Sequence, residues 1–137
     1  MRIFLDANIL ISVLNKELPI FSYSSRILSL ADDRNFIVCT SPVCLAIAYY
    51  FAEKKNGTSS AIKKINILSE KLSITDIGKK EVIEATKDPK VKDFEDALQY
   101  YSAKNAKCDA IITEDRSGFR FSTIEVLDSR SFVQQYF

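Results

Sequence analysis

Histidine is absent from the 137-residue chain, which removes His-based triads, His-assisted proton transfer and His-ligated zinc from the chemistry available to it. Cysteine is sparse. Cys39, Cys44 and Cys108 make no CxxC pair, and an odd, scattered set of three fits reduced, mostly buried thiols better than a disulfide framework. That points to a cytoplasmic protein. No signal peptide is expected, because Asp6 interrupts the amino-terminal apolar stretch too early. No apolar run is long enough to cross a bilayer; Val43 to Ala52 reads as a buried helix, and no membrane partner is expected. The formal charge of +1 argues against a strongly basic nucleic-acid binder, although it averages over surfaces that differ. Internal repeats, low-complexity tracts and a domain boundary are also missing. With 47% hydrophobic and 27% charged residues, the chain suits one domain, residues 1–137, around one core.

What is present is an alternation of strands and helices. Arg2 to Leu5 reads as a first strand, and Asn8 as the cap of a short helix running to about Asn15. Pro19 opens a longer helix with Ile20, Tyr23, Ile27, Leu28 and Ala31 on its apolar face. Phe36 to Cys39 is the second strand. Ser41-Pro42 starts a helix that is apolar nearly all round, so it is buried on more than one side or serves an interface, and Asn56-Gly57 ends it. Thr58 or Ser59 starts the next, followed by a short strand at Leu72 to Thr75. Lys79 to Thr86 is a brief helix stopped by Asp88-Pro89, and Asp93 opens one through Ala106. Asp109 to Thr113 and Ile124 to Leu127 are the last strands, with Ser129 or Ser131 capping a terminal helix. Strands separated by helices predict an α/β fold with a parallel sheet of four to five strands and right-handed crossovers.

Carboxylates mark the carboxyl ends of these strands, where ligand sites gather in open α/β sheets. Asp6 ends the first strand and Asp115 follows the fourth, while Asp93 and Asp96 lie three residues apart on one helix face. Each has an ordinary explanation: Asp6 as a turn or cap residue, Asp93 as an N-cap, Asp96 as a first-turn acid and Asp115 as a loop acid. Taken singly those explanations are favoured. Together they lose ground, because acids converging from separate elements repel unless a cation or protons intervene. Mg2+ or Mn2+ suits such oxygen donors. An ion held there can activate water for attack on phosphorus, so phosphodiester hydrolysis is the natural reaction and needs no histidine. With the four acids neutralised, the remaining surface is positive enough to attract a phosphate backbone.

Asp6, the segment Asp96-Ala97-Leu98-Gln99-Tyr100-Tyr101-Ser102-Ala103, and Asp115 in Ile111-Ile112-Thr113-Glu114-Asp115 resemble the PIN-domain ribonucleases over nearly the whole chain. The likeness is especially close to a branch carrying the Lys92–Tyr101 segment Lys-Asp-Phe-Glu-Asp-Ala-Leu-Gln-Tyr-Tyr. The resemblance implies a three-layer α/β/α PIN fold, Mg2+ or Mn2+ dependence and endoribonuclease activity. Many relatives are VapC-like toxins, inhibited by a small antitoxin protein and often homodimeric. Asp6, Asp96 and Asp115 fall on the family's metal-binding acids, Thr113 on the hydroxyl residue beside the last of them, and Asp93 on an extra acid of the closer branch. Two positions depart from the pattern: Ile47 stands where a helix acid is common, and Gly118 where a further aspartate is common. Glu53 lies about 120° round the helix from Ile47, so Asp93 is the better substitute for the missing acid.

Among other residues, Asn8 reads first as a cap and otherwise as a support for Asp6, and Ser41 as a cap near the acidic site. Arg116 and Arg120 follow Asp115 and are the expected contacts to an RNA strand. Tyr49, Tyr50 and Phe51 belong to the core or to a dimer or antitoxin surface. Three functions compete on these features. The first is a metal-dependent endoribonuclease toxin; the second is a catalytically degenerate PIN-like module that binds RNA or protein, suggested by Ile47 and Gly118. The third, a phosphotransfer domain phosphorylated on Asp6, ranks last because Asn8 takes the place of a second aspartate.

Overall fold

Ile3, Phe4 and Leu5 are all wholly buried, so β1 (Arg2–Leu5) has no solvent face, as suits the middle strand of a parallel sheet covered on both sides. The computed structural model describes all 137 residues and places β2 (Ile37–Thr40) on one side of β1, with Phe4 opposite Cys39. Beyond β2 lies the two-residue edge strand β3 (Ser73–Ile74). On the other side runs β4 (Ala110–Ile112), with Leu5 opposite Ile112, and then β5 (Glu125–Leu127). The order is β3-β2-β1-β4-β5 and every pairing is parallel. The chain therefore reverses its direction of travel across the sheet between β1 and β4, and the crevice beyond their carboxyl ends is where such folds place a ligand.

Seven helices cover the sheet in a three-layer α/β/α arrangement. In chain order they are α1 (Ala7–Leu14), α2 (Phe21–Ser29), α3 (Pro42–Asn56), α4 (Thr58–Lys71), α5 (Lys79–Lys87), α6 (Phe94–Asn105) and α7 (Ser129–Tyr136). One group packs α1 on α2 and α3, α3 on α4, and α2 on α7; α5 packs on α6. A single main core of apolar side chains runs through both, with a satellite of Ala85, Ala97 and Leu98 under α5 and α6. The three cysteines are free and buried. No helix is long and apolar enough to cross a membrane.

Several boundaries differ from the sequence reading. The cap of α1 is Asp6, whose carboxylate accepts the Ala7 N–H, and Asn8 sits inside the first turn with its amide used elsewhere. Helix α2 begins at Phe21 rather than at Pro19, and the expected apolar stripe finishes in a 3-10 turn at Leu30–Asp32. The cap of α7 is Asp128, which accepts the Ser131 N–H at 2.7 Å, so neither Ser129 nor Ser131 serves. Helix α3 buries one face through Cys44, Ala48 and Ala52, while Tyr50 and Phe51 stand about half exposed. It is therefore not buried on several sides. Gly57, at φ +84°, ends α3 in a conformation that side chains resist, and α4 starts directly at Thr58.

Candidate active site

Asp6 leaves β1 at the switch point and is only 7% exposed. Its Oδ1 accepts the Ala7 N–H at 2.8 Å and faces the Cys44 thiol at 3.8 Å, and its Oδ2 accepts the Thr113 hydroxyl at 2.8 Å. Thr113, fully buried at the end of β4, in turn accepts the Asn8 amide and the Asp115 N–H, each at 3.1 Å. The Asn8 carbonyl accepts the Glu114 N–H, also at 3.1 Å. These bonds tie the end of β1, the first turn of α1 and the loop after β4 into one rigid floor. Burial pushes the Asp6 carboxyl above its ordinary value, against the pull of Thr113, Ala7 and Cys44. Burial and the neighbouring Asp6 drive the Cys44 thiol up to about 12, so it acts as a neutral donor.

Above this floor opens a cavity of about 210 Å³ lined by Asp6, Asn8, Ile47, Glu95, Asp96 and Asp115 among others. Asp96, in the first turn of α6, has its pKa raised to about 7, by burial first and then by the charges of Asp93, Asp6, Asp115 and Glu95. Glu95 is raised for the same kinds of reason, burial before Asp93 and Asp6. The two ion pairs in the molecule, Lys71–Asp32 and Arg116–Asp128, leave all five of these acids without a cationic partner. Unneutralised carboxylates from two strand ends and a helix start are the oxygen-only donor set that hard divalent cations prefer. The fit is incomplete in one respect: no three acids converge into a ready-made cage. The Asp96 carboxylate leans instead toward Gly118, where a Cβ would stand 2.1 Å from its Oδ2. Such a set suits an ion that retains waters and draws its ligands together on binding.

The structure thus brings Asp6, Asp96 and Asp115 to one cavity, with Thr113 and Asn8 as the hydrogen-bonded support of Asp6. Asp93 stands apart. It caps α6 by accepting the Asp96 N–H at 2.9 Å and lines a neighbouring groove rather than the cavity. A fourth acid lining the cavity with Ile47 is Glu95, which the sequence reading left out although it sits inside the Asp93–Asp96 run. Ser41 is the α3 cap, accepting the Cys44 N–H at 3.0 Å, and it donates its hydroxyl to Gln99 Oε1. It supports the site from behind, through Cys44. Gln99, one turn along α6 from Asp96, is wholly buried with its Nε2 unpartnered. A glutamine among apolar residues at that spacing is the signal that would have found it. Arg116 and Arg120 are exposed and line a groove leading away from Asp115.

Comparison with known proteins bears on the family and the fold. The family model described as a PIN domain matches residues 2–117. Ribonuclease VapC1 of Aquifex aeolicus is 30% identical over 142 residues, spanning 98% of this chain and 95% of its own length. Among solved structures, VapBC2 from Rickettsia felis, bound to a DNA fragment from its promoter, superimposes with a TM-score of 0.71 at 19% identity, over 93% of this chain and 98% of the other. VapC20 of Mycobacterium tuberculosis, a sarcin–ricin-loop-cleaving toxin, gives 0.70 at 17% identity, over 90% and 98%. A match across most of the chain, a relative of nearly equal length and a shared fold lead to one assignment: the chain belongs to the PIN-domain family.

Proposed function

We propose that this chain is a metal-dependent endoribonuclease that hydrolyses RNA phosphodiester bonds as the toxin of a toxin–antitoxin pair in the cytoplasm. The observation that carries the reading is the cavity shared by Asp6, Asp96 and Asp115, whose carboxylates no cationic side chain neutralises. The similarity to a protein named as a ribonuclease supports it. Asp6, Asp96 and Asp115 would hold Mg2+ or Mn2+, with Glu95 on the cavity wall and Asp93 at its margin. Such an ion, when bound, lowers the pKa of water and stabilises charge on the phosphoryl oxygens.

The chain's own contribution is positioning. Thr113 and the Ala7 N–H fix the plane of the Asp6 carboxylate, and Asn8 fixes Thr113. The Ser117 hydroxyl holds Asp115 Oδ1 at 2.5 Å, restraining an otherwise exposed acid. A small antitoxin protein is the first proposed protein partner, supported by the likeness to VapBC2 of Rickettsia felis; a second copy of the chain is the other. Tyr50 and Phe51 on α3 supply the exposed apolar surface for one of them.

A degenerate binding module is the second reading. It is favoured by Ile47 facing the cavity and by the absence of a preformed three-acid cage. Incubating mixed structured and unstructured RNA with purified protein and Mn2+, with EDTA and Asp6→Asn in parallel, separates the two. Cleavage lost in both controls is the expected result. RNA binding that ignores EDTA, without cleavage, would establish the degenerate module.

A further inference from the structure

Next to the acidic cavity lies a second depression of about 300 Å³, walled by Lys90, Lys92, Asp93, Ser117, Gly118 and Arg120. It shares Ser117 and Arg120 with the groove that carries Arg116 and Asp115, and Asp115 also lines the acidic cavity. The three depressions therefore join at the Asp115–Arg120 turn. Four cations stand along the outer two, on a chain whose formal charge is only +1. Lys90, Lys92 and Arg120 are exposed and none has an acid within ion-pair distance, whereas Arg116 pairs with Asp128 at 4.0 Å and is not counted among the free cations. Free cations beside a cluster of unneutralised acids do not neutralise those acids, so their charge is available to a ligand.

The rim is built rather than accidental. Asp88 accepts the Lys90 N–H at 2.9 Å and the Tyr101 hydroxyl at 2.7 Å, and its carbonyl accepts the Val91 N–H at 3.3 Å. Val91 packs on the satellite core of Ala85, Ala97 and Leu98. The Asp88–Lys92 turn is thus pinned to α6, and Lys90 and Lys92 project from a fixed base. Arg120 follows Phe119, which is 2% exposed and anchors the opposite wall.

We infer that Lys90, Lys92 and Arg120 form a track for the phosphate backbone of a single RNA strand, which carries successive phosphates past the rim and delivers one to Asp6, Asp96 and Asp115. The inference rests on the ribonuclease reading for the identity of the strand. Arg116 continues the track on the far side of Asp115. A polyanion with regularly spaced charges and a flexible backbone matches a cationic rim bent around an acidic floor. Its three cations contribute affinity without base selectivity, because phosphate contacts carry no sequence information.

The test measures binding without chemistry. A fluorescein-labelled single-stranded RNA is titrated with full-length protein in EDTA at several salt concentrations, using wild type and Lys90→Ala/Lys92→Ala/Arg120→Ala. A charge-matched control, Arg34→Ala/Lys63→Ala/Lys79→Ala, removes three exposed cations from other parts of the surface. Each phosphate contact adds about 0.7 to the steepness of log K against log salt for a single strand, so the rim variant should lose roughly 2 from that slope. Its Kd should rise at least ~10-fold at low salt while the control moves little. Equal loss in rim and control variants overturns the track, as does absence of RNA binding by wild type. If wild type cleaves RNA with Mn2+ but the rim variant binds normally, the track fails and the ribonuclease reading survives. If the rim variant loses binding and wild type never cleaves, the track stands and that reading falls. Capture of labelled polyglutamate instead of RNA would assign the rim to an acidic protein segment and overturn the proposal.

Discussion

At the scale of single residues, Asp96 carries the clearest conflict between stability and function. Burial and four neighbouring acids raise its pKa from 3.8 to about 7. The folded chain without metal then binds a proton more readily than the unfolded chain, so its stability falls as pH rises from about 4 to 7 and stays lowered above that. Removing the charge should remove that cost. In EDTA at pH 8, Asp96→Asn is expected to melt several degrees above wild type, and the gap should vanish near pH 4; a lower or equal Tm at pH 8 would refute the assigned cause. The same substitution should abolish cleavage, because the acid that destabilises the metal-free fold is one that would hold the ion. Asp6, Asp96 and Asp115 were legible in the sequence because each follows a recognisable strand or opens a helix, and because the segment around Asp96 resembles a known family. Glu95 was not. Whether a residue beside Asp96 faces the cavity or solvent depends on how α6 is rotated against the sheet, and local spacing does not set that rotation.

At the scale of elements, the contact between the Arg116–Phe119 3-10 turn and α6 decides where Asp96 rests. Gly118 has no left-handed backbone to preserve, so alanine is conformationally admissible there, but its Cβ would stand 2.1 Å from Asp96 Oδ2 and 3.0 Å from its Cγ. The obstructing atoms end a flexible side chain, so the carboxylate moves and the backbone stays. The room left to it is the cavity it shares with Asp6 and Asp115. Gly118→Ala should therefore fold normally and bind Mn2+ several-fold tighter, read by the loss of free-Mn2+ EPR signal on titration. Unchanged or weaker binding would mean that Asp96 already contacts the ion from its place against Gly118. In the sequence Gly118 reads as a missing acid; in the fold it is also space that another side chain occupies. Element order and the Ser41 and Asp93 caps were legible, since capping residues followed by apolar runs are local signals. The cap of α1 was left between Asn8 and Asp6, and that of α7 was placed on Ser129 or Ser131 instead of Asp128, where competent residues crowd together in Asp6-Ala7-Asn8 and Asp128-Ser129-Arg130-Ser131. There the choice is made by distant partners: Asn8 is drawn off to Thr113 and Glu114, contacts more than a hundred residues away in sequence.

At the scale of the whole molecule, polarity of surface matters more than net charge. Acids gather at the sheet's switch point and free cations border them, while exposed apolar side chains are scattered over several elements, among them a pair of aromatics on α3. Tyr50 and Phe51 pack edge to face with ring centroids 5.4 Å apart and are 51% and 44% exposed; Ile62 on the adjoining α4 is 56% exposed. The apolar run of α3 could not be divided between core and interface from sequence, because its small residues (Cys44, Ala48, Ala52) fill the buried face, Leu45, Ile47 and Tyr49 pack half-buried beside it, and Tyr50 and Phe51 face outward. Large aromatics facing outward form the kind of patch that association covers. A homodimer joined there would present two acidic sites on one particle, and its interface would need to bury about 1,000 Å² or more to persist in dilute solution. Light scattering on the eluting protein is expected to give twice the chain mass, with Tyr50→Glu/Phe51→Glu reduced to a single chain, because charges introduced on both faces of a two-fold contact repel each other. A wild-type chain that elutes singly would dismiss the homodimer and leave the patch to a different protein. In that case the same double variant should weaken inhibition by the antitoxin while leaving RNA cleavage intact, since neither residue lines the acidic cavity or the cationic rim.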